Sequence, residues 1–201
     1  MREDRNAEQI VRKDARGCFV ESLNDSFEIG KMHLFFAVYD VTKPEGQRQT
    51  DKVHIYISAD EFLELCRKAD SGEMRKALAG RKKAGDQSPL YEHLGGTSAE
   101  RLARSGRERA DGKSLSRTLK LIPGSRSDLL FVADSGPGET TATGLIVPRF
   151  GKTPEDHVAV SLSFDALCEL LMITRAHYQA WLTAWYMRRP PEKRPSGREE
   201  R

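Results

Sequence analysis

The sequence predicts an α+β fold: tandem duplicated ββββα units, each an antiparallel sheet with a helix on one face. Three observations carry this. The stretch KVHIYISADEFLELCRKADSG (residues 52–72) is echoed 105 residues later by HVAVSLSFDALCELLMITRA (157–176). Both copies open with a period-2 apolar run, Val53-Ile55-Ile57 and Val158-Val160-Leu162, the signature of a half-buried strand. Both then pass through Ser-x-Asp into a helical apolar stripe, Phe62, Leu63, Leu65, Cys66 in one and Leu167, Leu170, Leu171 in the other.

The chain divides accordingly. Residues 1–16 read as a charged N-terminal arm, because MREDRNAEQIVRKDARG has no apolar run of the kind a secretory signal needs. Residues 17–75 read as the first unit. GCFVESL, SFEIG and KMHLFFAVYDV are strand-like, the turn TKPEGQ follows, and the first strand-to-helix step closes the unit. Ser58 suits the helix N-cap, and Glu61 three residues on completes a capping box. Residues 76–112, rich in Gly, Lys, Arg and Ser, read as a basic flexible linker in which SPLYEHL and SAERLAR form short helices. Residues 113–187 read as the second unit, with strands in SRTLKLIPG, DLLFVAD and TGLIVPRFG before the second step. Its Ser163 caps without a box, since Ala166 stands where Glu would be. The long final helix carries His177, Tyr178, Trp181, Trp185 and Tyr186, a spacing that favours packing or oligomer contacts over a ligand site. Pro190-Pro191 stops it, and residues 188–201 form a basic, Pro-rich tail.

Composition narrows the class. With 38% hydrophobic and 31% charged residues the chain can build one thin core. No apolar run approaches the roughly 20 residues that span a bilayer, so no membrane partner is expected. Three cysteines without metal-ligand spacing point to reduced thiols and a cytoplasmic location. The net charge is only +3, but between Arg75 and Arg126 thirteen Lys/Arg stand against five acids. A solvated, Arg-rich linker explains such a segment, and so does a surface that gathers a polyanion.

Strand alternation locates that surface. If Val53, Ile55 and Ile57 face the helix, then Lys52, His54 and Tyr56 face away. In the neighbouring strand Met32, Leu34, Phe36 and Val38 make the better core, which sends Lys31, His33, Phe35 and Tyr39 to the same outer face. Aromatics interleaved with basic residues form a platform on which single-stranded bases stack. The second unit supplies Arg117, Lys120, Arg126, Arg149 and Lys152 at or near strand ends. The same aromatics would equally serve as an interface with the other repeat or another subunit.

A duplicated ββββα pattern in a small protein with a basic segment resembles the single-stranded nucleic-acid-binding superfamily of the Whirly proteins, the PUR-alpha repeats and the positive-cofactor-four domain. The resemblance lies in KVHIYISADEFLELCRK, HVAVSLSFDALCELLMI, KMHLFFAVYDV and the strands between 116 and 150, and spans about 17–75 and 113–187. The glycine-lysine motif of Whirly proteins is absent, and no family binding residue maps onto a single position. The resemblance implies sequence-tolerant binding of single-stranded nucleic acid, DNA before RNA, by a homo-oligomer. It also implies a bacterial transcriptional regulator or accessory protein of a mobile element. The alternative is a protein–protein assembly module whose interface is the aromatic sheet face.

Catalytic signals are weak. Gly151-Lys152-Thr153 lacks the upstream glycine of a P-loop, the five histidines show no metal spacing, and no nucleophile elbow frames a serine. The sequence therefore predicts a non-enzymatic protein without cofactor or metal.

Overall fold

The computed structural model describes residues 8–188. Four strands, β1 (Gln9–Ala15), β2 (Cys18–Leu23), β3 (Lys31–Tyr39) and β4 (Gln49–Ser58), form an antiparallel meander in chain order. The helices α1 (Ala59–Asp70) and α2 (Glu73–Ala84) follow. The second sheet contains β5 (Tyr91–Thr97), β6 (Ser114–Pro123) and β7 (Leu129–Thr140), with the short helix α3 (Ala99–Arg104) between β5 and β6. Along one edge of β7 the short β8 (Ile146–Pro148) pairs at one end and β9 (Asp156–Leu162) along the rest. The long α4 (Phe164–Arg188) closes the second unit. The fold is thus mixed α+β, with two antiparallel sheets of four and five strands.

The alternation read from the sequence is the alternation observed. Met32, Leu34, Phe36, Val53, Ile55 and Ile57 are buried on the inner face of the first sheet. Leu119, Leu121, Phe131, Val158 and Val160 are buried on the inner face of the second. All belong to one core cluster with Phe62, Leu65, Leu167, Leu170 and Leu171 of the helices. Phe36 meets Phe131 edge to face, ring centroids 5.2 Å apart, and so joins the two sheets.

The duplication extends to how the units pack. Equivalent elements touch each other, β4 against β9 and α1 against α4. At the helix crossing the Cys66 thiol donates to the carbonyl of Leu171, its counterpart at the repeat offset. Each helix also reaches the first strand of the other unit. Glu61 of α1 accepts from Tyr91 Oη at 2.8 Å and meets His93 Nδ1 at 3.0 Å in β5. Glu169 of α4 pairs with Lys13 of β1. These reciprocal contacts are those of two units related by an approximate two-fold axis.

Several elements differ from the sequence reading. Part of the charged arm is β1, whose partly buried Ile10 and Val11 pack on the core. SFEIG is a 3-10 turn (Phe27–Ile29), not a strand; Phe27 is buried beneath Tyr178 and Trp181 of α4. Residues 76–112 are not a flexible linker. They hold the end of α2, anchored by Met74 and Leu78, and the strand β5 where SPLYEHL suggested a helix; SAERLAR does form α3. TGLIVPRFG contributes only the three residues of β8, so the fourth strand of the second unit comes from the supposed linker. The capping box does not form, because Glu61 is drawn to Tyr91 and His93; the Ser58 side chain makes no cap bond to a backbone N–H. In α4 Ser163 Oγ does accept from the Ala166 N–H, at 3.1 Å. The tail from residue 189 onward lies outside the described residues, as does the start of the N-terminal arm.

Phe131 is fully buried at the junction of both sheets. Phe131→Ala should therefore cost about 3–5 kcal/mol of unfolding free energy, read from the urea midpoint with the m-value unchanged.

Candidate functional site

The outer face of the first sheet is built by cross-strand pairing. Phe19 lies opposite Ala37 and Ala37 opposite Lys52; Glu21, Phe35 and His54 form the next row, and Leu23, His33 and Tyr56 the third. Much of it is self-satisfied. Phe35 packs edge to face on Phe19 at 5.8 Å, Tyr39 tilts against Phe19, and the Arg12 guanidinium lies 3.5 Å from the Phe19 ring centre. Phe35 is only 8% exposed and His33 2%, whereas Tyr56 is 37% exposed. The His33 ring stacks on Tyr56 at 4.3 Å, with 21° between planes, and so supports that ring from one side.

His33 also heads a hydrogen-bonded relay. Its Nδ1 lies 2.9 Å from both carboxylate oxygens of Asp25, and its Nε2 lies 2.9 Å from Nδ1 of His54. Burial lowers the His33 pKa and outweighs the attraction of Asp25. Burial, then the charges of His33 and Arg117, takes His54 down to about 4. Both rings are therefore neutral near pH 7. A carboxylate only accepts, so His33 Nδ1 carries the proton and Nε2 is left as an acceptor. His54 Nδ1–H must then donate to it, which leaves His54 Nε2 with an open lone pair.

Beside Tyr56 the first sheet ends and a cleft begins. Its volume is about 720 Å³, and its walls include Asp25 and Lys31, Tyr56 of β4, Gly95, Gly96 and Thr97 of β5, Arg101, Arg107 and Arg117. Arg117 extends from β6, and its Nη1 donates to Thr97 Oγ1 at 3.0 Å. Burial lowers its pKa, an effect that Arg107 adds to and Tyr56 opposes. No carboxylate pairs with Arg117, Arg101, Arg107 or Lys31 at ion-pair distance among the described residues. Elsewhere about half of the described cations have an ion-pair partner, as Arg109 has in Asp111 and Glu155. The strand backbone beside the cleft requires glycine at Gly96, with φ of +148° and a Cβ position 2.1 Å from the Leu115 carbonyl oxygen.

The structure gathers Lys31, His33, Phe35, Tyr39, Lys52, His54 and Tyr56 on one face, and Arg117 joins them from the second unit across the cleft. It does not bring in the other four. Lys120 pairs with Glu92 on the outer face of the second sheet, and Arg149 with Glu139. Arg126 and Lys152 are exposed in turns, and none of the four lines the cleft. Sequence reasoning missed Asp25, Gly95, Gly96, Arg101 and Arg107 as site residues. The only signal for the arginines was the charge excess of their segment, which says nothing about what they face.

No family model, curated protein or solved structure matches this chain.

The relay gives a pH dependence of stability. His54 titrates near its ordinary 6.5 when unfolded and near 4 when folded, so the unfolded chain binds the proton more readily between those values. Stability should be fully retained above pH 6.5 and fall progressively as pH drops toward 4. His33, Arg117, Asp25 and Lys52 are the groups whose charges act on this ring. His54→Asn should flatten that fall in a series of thermal melts from pH 7.5 to 4.

Proposed function

We propose that the protein binds single-stranded nucleic acid, DNA before RNA, along the outer face of the first sheet and into the adjoining cleft. One observation carries the reading: a half-exposed Tyr56 ring, stacked from behind on buried His33, stands at the mouth of a cleft lined by four cations that have no ion-pair partner among the described residues. A base laid on the open side of Tyr56 would extend an existing stack at little entropic cost, because His33 already fixes the ring. Phosphates on either side would meet Lys52 and Lys31, and then Arg107 and Arg117. Phe19, Phe35 and Tyr39 support the platform from within the sheet and are not themselves stacking surfaces. The reading is narrower than a whole aromatic face, with one principal stacking ring and a directional run of charge.

Titrating labelled oligonucleotides by fluorescence anisotropy tests this. Single strands should bind more tightly than the matching duplex. The logarithm of affinity should fall linearly with log salt, by about −0.7 for each phosphate contacted. Tyr56→Ala should weaken single-strand binding by about 1–3 kcal/mol, roughly 5- to 150-fold. Absence of binding to both oligo-dT and mixed-sequence strands at low salt would sink the proposal.

A second reading concerns assembly. The outer-face aromatics are mostly consumed within the sheet, whereas Ile173, Tyr186 and Met187 of α4 are exposed apolar residues. Their place along one long helix favours a homo-oligomer formed through α4 over one formed through the sheet. Tyr186→Lys with Met187→Lys should lower the mass measured by light scattering and leave strand affinity per protomer unchanged.

A further inference from the structure

The four cations of the cleft are more than a passing phosphodiester needs. Lys31, Arg101, Arg107 and Arg117 face a single lining carboxylate, that of Asp25, which is itself engaged by His33. The local excess is three positive charges. A phosphodiester brings one negative charge, while a phosphate monoester brings close to two at neutral pH and three terminal oxygens that accept hydrogen bonds. A partly desolvated guanidinium without a counter-ion is a costly group to keep, and an anion that fills the cleft would repay that cost.

The shape of the site agrees with the charge. Thr97 Oγ1 takes one N–H from Nη1 of Arg117 and orients the guanidinium, whose Nη2 and Nε make no hydrogen bond among the described residues. Arg107 lies close enough for its charge to be felt by both Arg117 and Tyr56. The floor at Gly95 and Gly96 presents backbone without side chains. A mid-chain phosphate must lead a nucleotide away on each of two sides, whereas a terminal phosphate leads away on one. A recess that abuts a stacking ring on one side suits the second case. A second cavity among the described residues does not share these features: Glu100 and Glu139 there balance Lys113 and Arg149, and Arg149 is already paired with Glu139 at 2.6 Å.

From this we infer that the cleft takes the phosphate monoester at the end of a single strand, with the terminal base on Tyr56 and the phosphate between Arg117 and Arg107. The inference rests on the proposed strand binding and adds a preference for phosphorylated ends.

The experiment compares one 15-nucleotide DNA strand with a 5′-phosphate, with a 3′-phosphate and with hydroxyls at both ends, together with a free deoxynucleoside monophosphate, at constant ionic strength. One phosphorylated form should bind about tenfold or more tightly than the unphosphorylated strand, as expected for charge-assisted bonds to a guanidinium. Arg117→Met should abolish that difference, and it should weaken the unphosphorylated strand by less than it weakens the phosphorylated one. Arg107 is exposed on a loop, and Arg107→Gln should reduce the difference without disturbing the fold, so a misfolded Arg117 variant does not leave the idea untested. Equal affinity for all three strands overturns the end preference and leaves strand binding standing. No binding of any strand overturns both. A free monophosphate that binds as tightly as the phosphorylated strand overturns the strand end as its ligand.

Discussion

The first sheet cannot bury its inner face with its own helix α1 alone, and the rest of the structure follows from that. A 12-residue helix is about 18 Å long and covers only part of a four-stranded sheet. The uncovered remainder is buried against the other unit, with Phe36 on Phe131 and α1 crossing α4 at Cys66 and Leu171. The polar ends of this arrangement are tied reciprocally, Glu61 to Tyr91 and His93, Glu169 to Lys13. One shared core therefore fixes the relation between the units, and with it the place where an edge of one sheet meets the outer end of the other.

The cleft exists because the two units are not identical at that place. In the first unit β1 and β2 are joined by Arg16-Gly17 alone, whereas in the second β5 and β6 are separated by α3 and the arginine-bearing segment that follows. That insertion places Arg101 and Arg107 beside the edge of the first sheet. The outer faces diverge in the same sense. The first unit carries Phe19, Phe35, His54 and Tyr56, and the second carries Thr118, Ile122, Leu130 and Val132 at its outward positions. Function is proposed where the duplication has been broken.

The parts of the fold legible in the sequence were those where an apolar period meets an apolar environment: β3, β4, β9, and the buried stripes of α1 and α4. The fourth strand of the second unit was illegible for a definite reason. The inward residues of β5 are Tyr91 and His93, which satisfy their polar tips on Glu61, so the strand has no hydrophobic alternation to read. The same carboxylate misled the reading of the helix start, since its local option as a capping residue lost to a tertiary one. Of the site, the face of each strand residue was readable from parity, but exposure was not. Phe35 and His33 point outward as expected and are nonetheless covered, by Phe19 and by Tyr56. Arg117 was visible as a strand cation, yet its meeting with Arg107 and Tyr56 depends on contacts between units that no local pattern encodes.

Charge placement decides which part of the surface is worth distinguishing from ordinary solvation. An exposed lysine or arginine with a carboxylate neighbour, such as Arg67 with Glu64 and Glu73, contributes little beyond solubility. Arg117 is different because it is largely removed from water and its hydrogen-bond partner among the described residues is a neutral hydroxyl. Its charge also bears on the relay, since it helps hold His54 neutral, and a neutral His54 keeps an acceptor nitrogen open beside Tyr56. An anion settling on Arg117 would offset that charge and make His54 easier to protonate. An anion in the cleft would therefore favour proton uptake at His54, and protonated His54 would in turn favour a bound anion of unchanged charge.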